Sequence, residues 1–295
     1  MVTIYIVDAF TTKPNTGNRA GVVLDADRLT TQEMQDIAAF TGYSETAFVL
    51  SPCDQTHDIH IRYFTPKKEV PICGHATIAT HFLRATLGHE SDYPLIAKTK
   101  AGHLPVSISE NPKGLLIKMT QGQVKFQSPF DSTQRSEIAT ALGISENDFC
   151  DLPIQVVTTG HSKVMVPMLS RKRLDGLVPN NEKLKALSAT IDCNGFFPFV
   201  LEGSRKAPVT FGRMFAPAIG INEDPVTGNA NGPAGAYLVH HDLIECESEA
   251  CYWGYQGLAM DSPGRVLVTV EKAQSMLHIS IAGQAVLVGK REMVL

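Results

Sequence analysis

One motif occurs twice in the chain, about half the sequence apart. The first copy reads RYFTP at residues 62–66 and CGHA at residues 73–76, and the second reads RMFAP at residues 213–217 and TGNA at residues 227–230. From the arginine to the residue before glycine is 11 positions in the first copy and 14 in the second, so the loops differ by three residues. Self-similarity at long period is a property of the fold. We therefore expect two related halves, whose two glycine-led helix starts face one cleft and hold a small molecule from both sides.

Length, composition and charge restrict the class of protein. The 295 residues are 43% hydrophobic, which is enough for one or two ordinary cores, and the length suggests about two domains. The formal net charge of −4 at pH 7 gives no basic surface, so nucleic acid and anionic membranes are not expected partners. No run approaches the roughly 20 apolar residues of a membrane span, and the first residues read as a strand without a targeting segment. We expect a cytoplasmic protein.

The six cysteines and ten histidines show neither disulfide nor metal-ligand spacing. There is no C-x-x-C and no H-E-x-x-H, so a bound metal ion is not expected. In a cytoplasmic chain of this size, most of the cysteines are expected to be inert buried thiols.

Periodicity and capping residues predict many short strands around a few helices. Thr30 and Glu33 form a capping-box pattern for a helix that ends before Gly42. Residues 75–87 are apolar on nearly every side, which is typical of an internal helix. In the second half we expect the corresponding helix to begin at about Pro233, with the proline in its first turn. Many strands with one buried helix per half predict two sheet-wrapped helical cores.

Several longer motifs follow one another along the chain. They are DAFT at 8–11, GNxAGV at 17–22, SETAF at 44–48, FTPxxEVxxCGHAT at 64–77, GIxEDPVTGNA at 220–230, QG at 256–257 and GR at 264–265. Together they resemble the PhzF-like family, named for an isomerase of phenazine biosynthesis, over essentially the whole chain. The resemblance implies a diaminopimelate-epimerase-like, α/β (α+β) fold of two pseudo-symmetric halves, each a curled, mostly antiparallel sheet around a central helix. On this basis we expect a first domain of residues 1–120 plus 281–295, a second of residues 121–280, and an active site in the cleft between them.

The resemblance also implies a homodimeric isomerase that needs no cofactor and moves a proton on a small carboxylic acid. Such chemistry needs a base, an acid and stabilisation of the charge that forms between the two transfers. The family's catalytic glutamate falls on Glu45, whose carboxylate can take and return a proton if burial raises its pKa. Read alone, Glu45 is a residue at a strand entrance that faces water.

Two further catalytic residues follow from the resemblance. His75 falls at a helix start, where it could orient a substrate carboxylate together with the positive potential of the first amides. Read alone, His75 is a helix cap or a core residue. Asp224 falls on an aspartate that contributes to the family's site, although without the family it is an ordinary turn acid before a proline.

The residues around the two glycines are expected to bind the substrate. Gly74 and Gly228 allow close approach of a ligand to the backbone, and Thr227 and Asn229 flank the second glycine. Asn229 departs from the phenazine enzyme, which has serine there, so the group contacted at this point is expected to differ.

Cys73 raises a second possibility, because related racemases and epimerases of this fold use two thiols, one on each face of the substrate. The counterpart of Cys73 in the second copy is Thr227, and an unactivated hydroxyl cannot replace a thiolate as base at neutral pH. Two-thiol inversion is therefore disfavoured, and Cys73 is expected to be a wall residue beside Gly74.

Three functions remain open from the sequence. The first is an isomerase in which Glu45 moves a proton between two carbons of a cyclic or amino-acid-like carboxylic acid. The second is a racemase or epimerase that uses Glu45 or Cys73 with another group. The third is a non-catalytic member of the family that binds a metabolite or a protein, against which the intact set of Glu45, His75 and Asp224 argues.

Overall fold

The computed structural model describes residues 1–89, 94–112, 114–274 and 276–295. They form two compact units: unit 1 contains Met1–Thr120 and Ala282–Leu295, and unit 2 contains Gln121–Ile281. Each unit is a sheet of short strands around one buried helix, so the expected α/β (α+β) fold is confirmed.

The described strands and helices follow one another along the chain. Their bounds are β1 Val2–Ala9, β2 Asn18–Val23, α1 Thr31–Thr41, β3 Glu45–Leu50, β4 Ile59–Phe64, β5 Glu69–Val70, α2 Gly74–Thr86, β6 Leu95–Thr99, β7 Gly102–Asn111, β8 Gly114–Thr120, β9 Lys125–Phe126, α3 Ser132–Leu142, β10 Gln155–Thr158, β11 Ser162–Pro167, α4 Arg171–Asp175, α5 Asn181–Ile191, β12 Phe196–Ser204, β13 Ala207–Gly212, β14 Met214–Ala216, β15 Ile221–Asp224, α6 Gly228–His240, β16 Glu249–Gln256, β17 Gly264–Ala273, β18 Met276–Gly283 and β19 Ala285–Met293. Among the described residues, no helix has the length and apolar character needed to cross a membrane.

In unit 1 the strands pair in the order β19, β1, β2, β3, β4, β6, β7, β8, with β5 also against β4. The pairs β2/β3 and β4/β6 are parallel and the others are antiparallel. The helices α1 and α2 lie in the two crossover connections that parallel pairs require. Helix α2 packs against β1, β2, β3, β8 and β19 and buries nine of its 13 residues, so it is the central helix of the unit.

Unit 2 repeats this connectivity. Its strands pair in the order β9, β10, β11, β12, β13, β16, β17, and β14 pairs with β12 and β15. Again two pairs are parallel, β11/β12 and β13/β16, and their crossovers contain α5 and α6. Helix α6 packs against β10, β11 and β17. The two expected pseudo-symmetric halves are therefore confirmed.

The duplicated R-x-F motif has the same structure in both units. The Arg62 guanidinium lies 5.0 Å from the ring centre of Phe64 and makes a bidentate ion pair with Glu69, at 2.8 and 3.1 Å. In unit 2, Arg213 lies 5.0 Å from the Phe215 ring and pairs with Glu223 at 2.8 and 2.7 Å. Each arginine therefore fastens the loop that leads into the central helix of its unit.

Helix α6 differs from the sequence prediction in where it begins. It starts at Gly228, so Pro233 lies inside the helix and not in its first turn. Proline has no amide proton, and the helix therefore lacks one backbone hydrogen bond near its start. Small residues in this segment allow close packing, because a Cβ added at Gly235 would lie 2.6 Å from Val268 Cγ1 of β17.

Candidate active site

In unit 1, the start of β3 and the start of α2 bring two of the predicted catalytic residues together. Glu45 begins β3 and His75 is the second residue of α2. The Glu45 Oε2 and His75 Nε2 atoms are 3.4 Å apart, and the two side chains are 13% and 7% exposed. Ser44 Oγ also lies 3.3 Å from His75 Nε2. The water-facing position that Glu45 would have as an ordinary residue at a strand entrance is excluded, because its side chain is largely removed from solvent.

The surroundings of Glu45 favour its protonated form. Burial raises the pKa of Glu45 above its ordinary value, and hydrogen bonds from Ser44 and Cys73 lower it only in part. Removal of a carboxylate from water disfavours its charged form. A carboxyl group whose titration is moved toward neutral pH can act both as a base and as an acid at working pH.

Cys73 is in direct contact with Glu45 and His75, whereas the sequence predicted only a residue that lines the site beside Gly74. It is the N-cap residue of α2 and is 6% exposed. Its Sγ lies 3.4 Å from His75 Nδ1 and hydrogen-bonds Glu45. Cys73 therefore contacts both predicted catalytic residues of unit 1.

The same three side chains form a donor set that could hold a metal ion. One ligand atom from each of Glu45, Cys73 and His75 lies within 4.8 Å of the others. Thiolate, imidazole and carboxylate suit zinc or a similar ion, and an ion bound there would occupy the lone pairs that Glu45 needs as a base. The absence of a metal from the reaction stays a prediction.

In unit 2, Asp224 lies at the end of β15 and is 8% exposed. Its Oδ2 accepts a short hydrogen bond from the hydroxyl of Thr227, the N-cap residue of α6. Gln256, which is 1% exposed, donates to the Asp224 carbonyl at 2.7 Å and accepts from the Thr227 amide at 3.1 Å. The loop before α6 is thus held by one buried amide side chain.

Asn229 is positioned by a second glutamine. Gln121 Nε2 donates to Asn229 Oδ1 at 3.2 Å and to the Gly228 carbonyl at 3.3 Å. The Oε1 atom of Gln121 accepts a hydrogen bond from the Thr159 hydroxyl at 2.7 Å. This contact fixes the orientation of the Gln121 side-chain amide, with its NH₂ group toward Asn229. With its oxygen engaged, Asn229 has its side-chain NH₂ group to offer to another partner.

Sequence reasoning missed the positioning roles of Ser44, Gln121 and Gln256. Ser44 is the neighbour of Glu45 and Gln256 belongs to the QG motif at 256–257, so both lay within quoted motifs. Gln121 lies in no such motif, and only the fold brings it to the start of α6.

Comparisons with known proteins agree with this architecture. The family model described as "Phenazine biosynthesis-like protein" matches residues 7–291. An uncharacterized isomerase of Clostridium acetobutylicum is 46% identical over 99% of this chain and 98% of its own. The trans-2,3-dihydro-3-hydroxyanthranilate isomerase of Pseudomonas chlororaphis is 31% identical over 98% of each chain.

Solved structures give the same result. A PhzF-family phenazine biosynthesis protein of Bacillus anthracis superposes with a TM-score of 0.89, at 38% identity, over 100% of this chain and 99% of its own. A probable proline racemase of Agrobacterium radiobacter, at 11% identity and a TM-score of 0.66, shares the fold over 100% of this chain and 93% of its own. The match to the family model and the isomerases among the relatives lead to one conclusion: the chain belongs to the phenazine biosynthesis-like protein family and is an isomerase of that family.

Proposed function

We propose that the protein moves a proton between two carbons of a small carboxylic acid, with Glu45 as the general acid/base and without a cofactor. The observation that supports this most directly is the Glu45 carboxylate itself, which is buried beside the start of α2 and has its pKa raised by burial. The described partners of this carboxyl group are the His75 ring, 3.4 Å away, and hydrogen bonds from Ser44 and Cys73. The two hydrogen bonds offset the effect of burial on its pKa only in part.

The proposed reaction balances in two steps. Ionised Glu45 takes a proton from a substrate carbon, and the electron pair of the broken C–H bond forms a new carbon–carbon double bond. The electrons of the original double bond shift to a distal carbon, and protonated Glu45 returns the proton there. His75 and the first amides of α2 hold the substrate carboxylate, so that the reacting carbons lie within reach of Glu45.

We further propose that Asp224 assists catalysis and that Gly74, Thr227, Gly228 and Asn229 bind the substrate. Support comes from the motif resemblance and from the way Gln256 and Gln121 fix the loop and the first turn of α6. Rigid support of this kind is typical of groups that must meet a ligand in one geometry.

Deuterium exchange tests the proposed reaction. The protein would be incubated in D₂O with trans-2,3-dihydro-3-hydroxyanthranilate, which the Pseudomonas relative is named for, and with cyclic hydroxy acids and amino acids. Proton NMR should show deuterium at a new carbon together with a moved double bond. Exchange only at an existing stereocentre would show an epimerase instead, for which Cys73 beside Glu45 offers a second acid/base group. No exchange with any compound, combined with ligand binding in a thermal-shift assay, would show a binding protein.

We also propose that the protein is a cytoplasmic homodimer that binds neither nucleic acid nor membranes, as the resemblance and the charge imply. Light scattering checks the oligomeric state, since one chain has a mass of 32.0 kDa and a dimer scatters as twice that mass. A mass of one chain at working concentrations would contradict the dimer.

A further inference from the structure

A second cluster of reactive side chains lies in unit 1, just after the end of β3. It consists of Cys53, Asp54 and His57 in the β3–β4 connection and Lys98 of β6. Glu45 begins β3 and Cys53 follows its other end, so the strand of six residues separates them by about 20 Å. The cluster is not part of the candidate active site.

The hydrogen bonds of His57 identify which ring nitrogen carries the proton. The Cys53 amide donates to His57 Nε2 at 3.2 Å, so Nε2 is an acceptor. The proton is then on Nδ1, which lies 3.1 Å from Asp54 Oδ1 and donates to it. The unprotonated Nε2 is also 3.7 Å from Cys53 Sγ. Cys53, His57 and Asp54 therefore follow one another in contact, and the Cys53 amide occupies the lone pair of Nε2, which fixes the backbone next to the thiol.

Lys98 adds positive charge on the other side of the sulfur. Its Nζ lies 2.9 Å from Cys53 Sγ and 3.7 Å from Asp54 Oδ2. The pKa of Lys98 is raised, first by its hydrogen bond to Cys53. The pKa of Asp54 is held well below its usual range, chiefly by hydrogen bonds from Thr56. An ammonium group therefore lies within hydrogen-bond distance of an exposed thiol, an arrangement that is typical of reactive cysteines.

Comparison with the other cysteines shows what is special about Cys53. Among the six, only Cys73 and Cys193 are buried, whereas Cys53 and Cys251 are exposed, so the expectation that most are buried thiols was wrong. Cys251 Sγ lies 3.7 Å from the Glu249 carboxylate and 3.5 Å from the Thr269 hydroxyl. A carboxylate oxygen, that of Asp54, lies equally close to Cys53 Sγ, at 3.7 Å. The feature that distinguishes Cys53 from Cys251 is therefore the Lys98 ammonium 2.9 Å from its sulfur.

We propose that Cys53 is a nucleophilic modification site that forms a mixed disulfide with small-molecule disulfides. The exposed Cys53 thiol gives its proton to water, and the thiolate beside the Lys98 ammonium attacks one sulfur of the disulfide. The new bond joins Cys53 Sγ to that sulfur, while the old sulfur–sulfur bond breaks and its electron pair leaves on the second sulfur as a thiolate. Cys53 is oxidised to the disulfide level, the small-molecule disulfide supplies the oxidising equivalent, and one small thiol is released.

The same residues could be considered a metal site, because ligand atoms of Cys53, Asp54 and His57 lie within 4.8 Å of one another. The Lys98 ammonium, 2.9 Å from the sulfur, argues against this reading. A divalent cation bound to Cys53 would lie next to that positive charge, and the two would repel each other.

Differential labelling of the whole protein tests the proposal. Wild type, Lys98→Met and Lys100→Met would be treated with iodoacetamide near neutral pH, and labelling of each cysteine would be followed by peptide mass spectrometry. Lys100→Met is the matched control, because it removes the same charge at another lysine of unit 1. The Lys100 side chain is 62% exposed and its Nζ lies 3.6 Å from Glu69. In wild type, Cys53 should react about tenfold faster than Cys251. Lys98→Met should slow Cys53 at least about threefold without changing Cys251, whereas Lys100→Met should change neither.

Glutathione disulfide then tests the modification itself. It should add one glutathione to Cys53 before any other cysteine, and dithiothreitol should remove it. Equal rates at Cys53 and Cys251, or equal effects of the two lysine variants, would overturn the proposal. Labelling of Cys53 that requires prior treatment with EDTA would also overturn it and would show a metal site.

Discussion

At the scale of single residues, the burial that suits Glu45 to proton transfer also lowers the free energy of unfolding at neutral pH. Its pKa is raised by burial, so the folded protein binds this proton more tightly than the unfolded chain. The free energy of unfolding therefore decreases as pH rises through the ordinary value of 4.5 toward the raised pKa of the folded state, and the loss persists at higher pH.

This linkage gives a prediction for Glu45→Gln. Glutamine has no charge to bury, so the variant should have a higher free energy of unfolding than wild type at about pH 8. The difference should disappear below about pH 4, where Glu45 is protonated in both states. Urea denaturation at a series of pH values measures it. A variant that is less stable than wild type at pH 8 would show that the ionised carboxylate is stabilising.

Cys73→Ala tests the role of the thiol. The Cys73 hydrogen bond lowers the pKa of Glu45, so its removal should raise that pKa further. The acid limb of the kcat/KM profile should then move to higher pH, while kcat on its plateau falls less than about tenfold. A loss of about a thousandfold or more at every pH would contradict this and would make Cys73 a second acid/base group.

The residue types at the site were predictable, but their contacts were not. Glu45 and His75 are 30 positions apart in the sequence and meet because β3 and α2 begin at the same end of unit 1. Burial of Glu45 depends on that packing and has no local signal. The sequence alone favoured a water-facing glutamate, and only the motif resemblance indicated otherwise.

At the scale of elements, the duplicated arginines show how each central helix is held. Arg213 is 10% exposed in its side chain and donates to the carbonyls of Leu174, Asp175 and Leu177 as well as to Glu223. Arg62 is 19% exposed and has, besides Glu69, the Thr31 hydroxyl at 3.1 Å. The two copies of the motif therefore differ in how deeply the ion pair is buried.

Replacing each arginine by methionine should reveal that difference. Arg213→Met leaves Glu223 and three carbonyl groups without their partner and should cost about 3–5 kcal/mol of the free energy of unfolding. Arg62→Met should cost about 1–2 kcal/mol, because the Arg62 side chain is itself more exposed and Glu69 keeps the Lys100 ammonium 3.6 Å away. Urea denaturation measures both, and equal losses would contradict the assignment of Arg213 as the more deeply buried anchor.

Local signals predicted some elements well and others poorly. Thr30 and Glu33 form the expected capping box of α1, and Gly42 adopts the left-handed conformation with φ of 67°. Helix α3 has an equally clear capping box at Asp131 and Gln134 that the sequence analysis did not use. The sequence prediction placed the start of α6 too late, because it took Pro233 as a residue of the first turn. The helix begins at Gly228, and its N-cap residue makes no side-chain capping hydrogen bond that could have marked the start.

At the scale of the whole molecule, the repeat in the sequence predicted two related halves, but the strand partners could not be predicted. The final strand β19 pairs with β1 over eight positions, from Val2 opposite Met293 to Ala9 opposite Ala285. No local pattern relates residues so far apart in the chain, and only the sheet of unit 1 brings them together.

Removal of β19 should therefore affect unit 1 selectively. A chain truncated after Gln284 would leave one edge of β1 without its partner and α2 without part of its cover. Hydrogen exchange should show loss of protection in β1, β2 and α2, while β12, β13 and α6 of unit 2 stay protected. Uniform loss of protection in both units would show that they unfold together and would contradict this prediction.

The most direct test of the central claim follows deuterium exchange from D₂O into an accepted substrate with wild type, Glu45→Gln and Glu182→Gln. Glu182 is the matched control, since its side chain is 80% exposed, pairs with Lys185 at the surface and has no proposed role in catalysis or binding. We predict that Glu45→Gln lowers exchange by about a thousandfold or more while binding persists, and that Glu182→Gln exchanges as fast as wild type. Exchange at the wild-type rate in Glu45→Gln would contradict the assignment of Glu45 as the group that moves the proton.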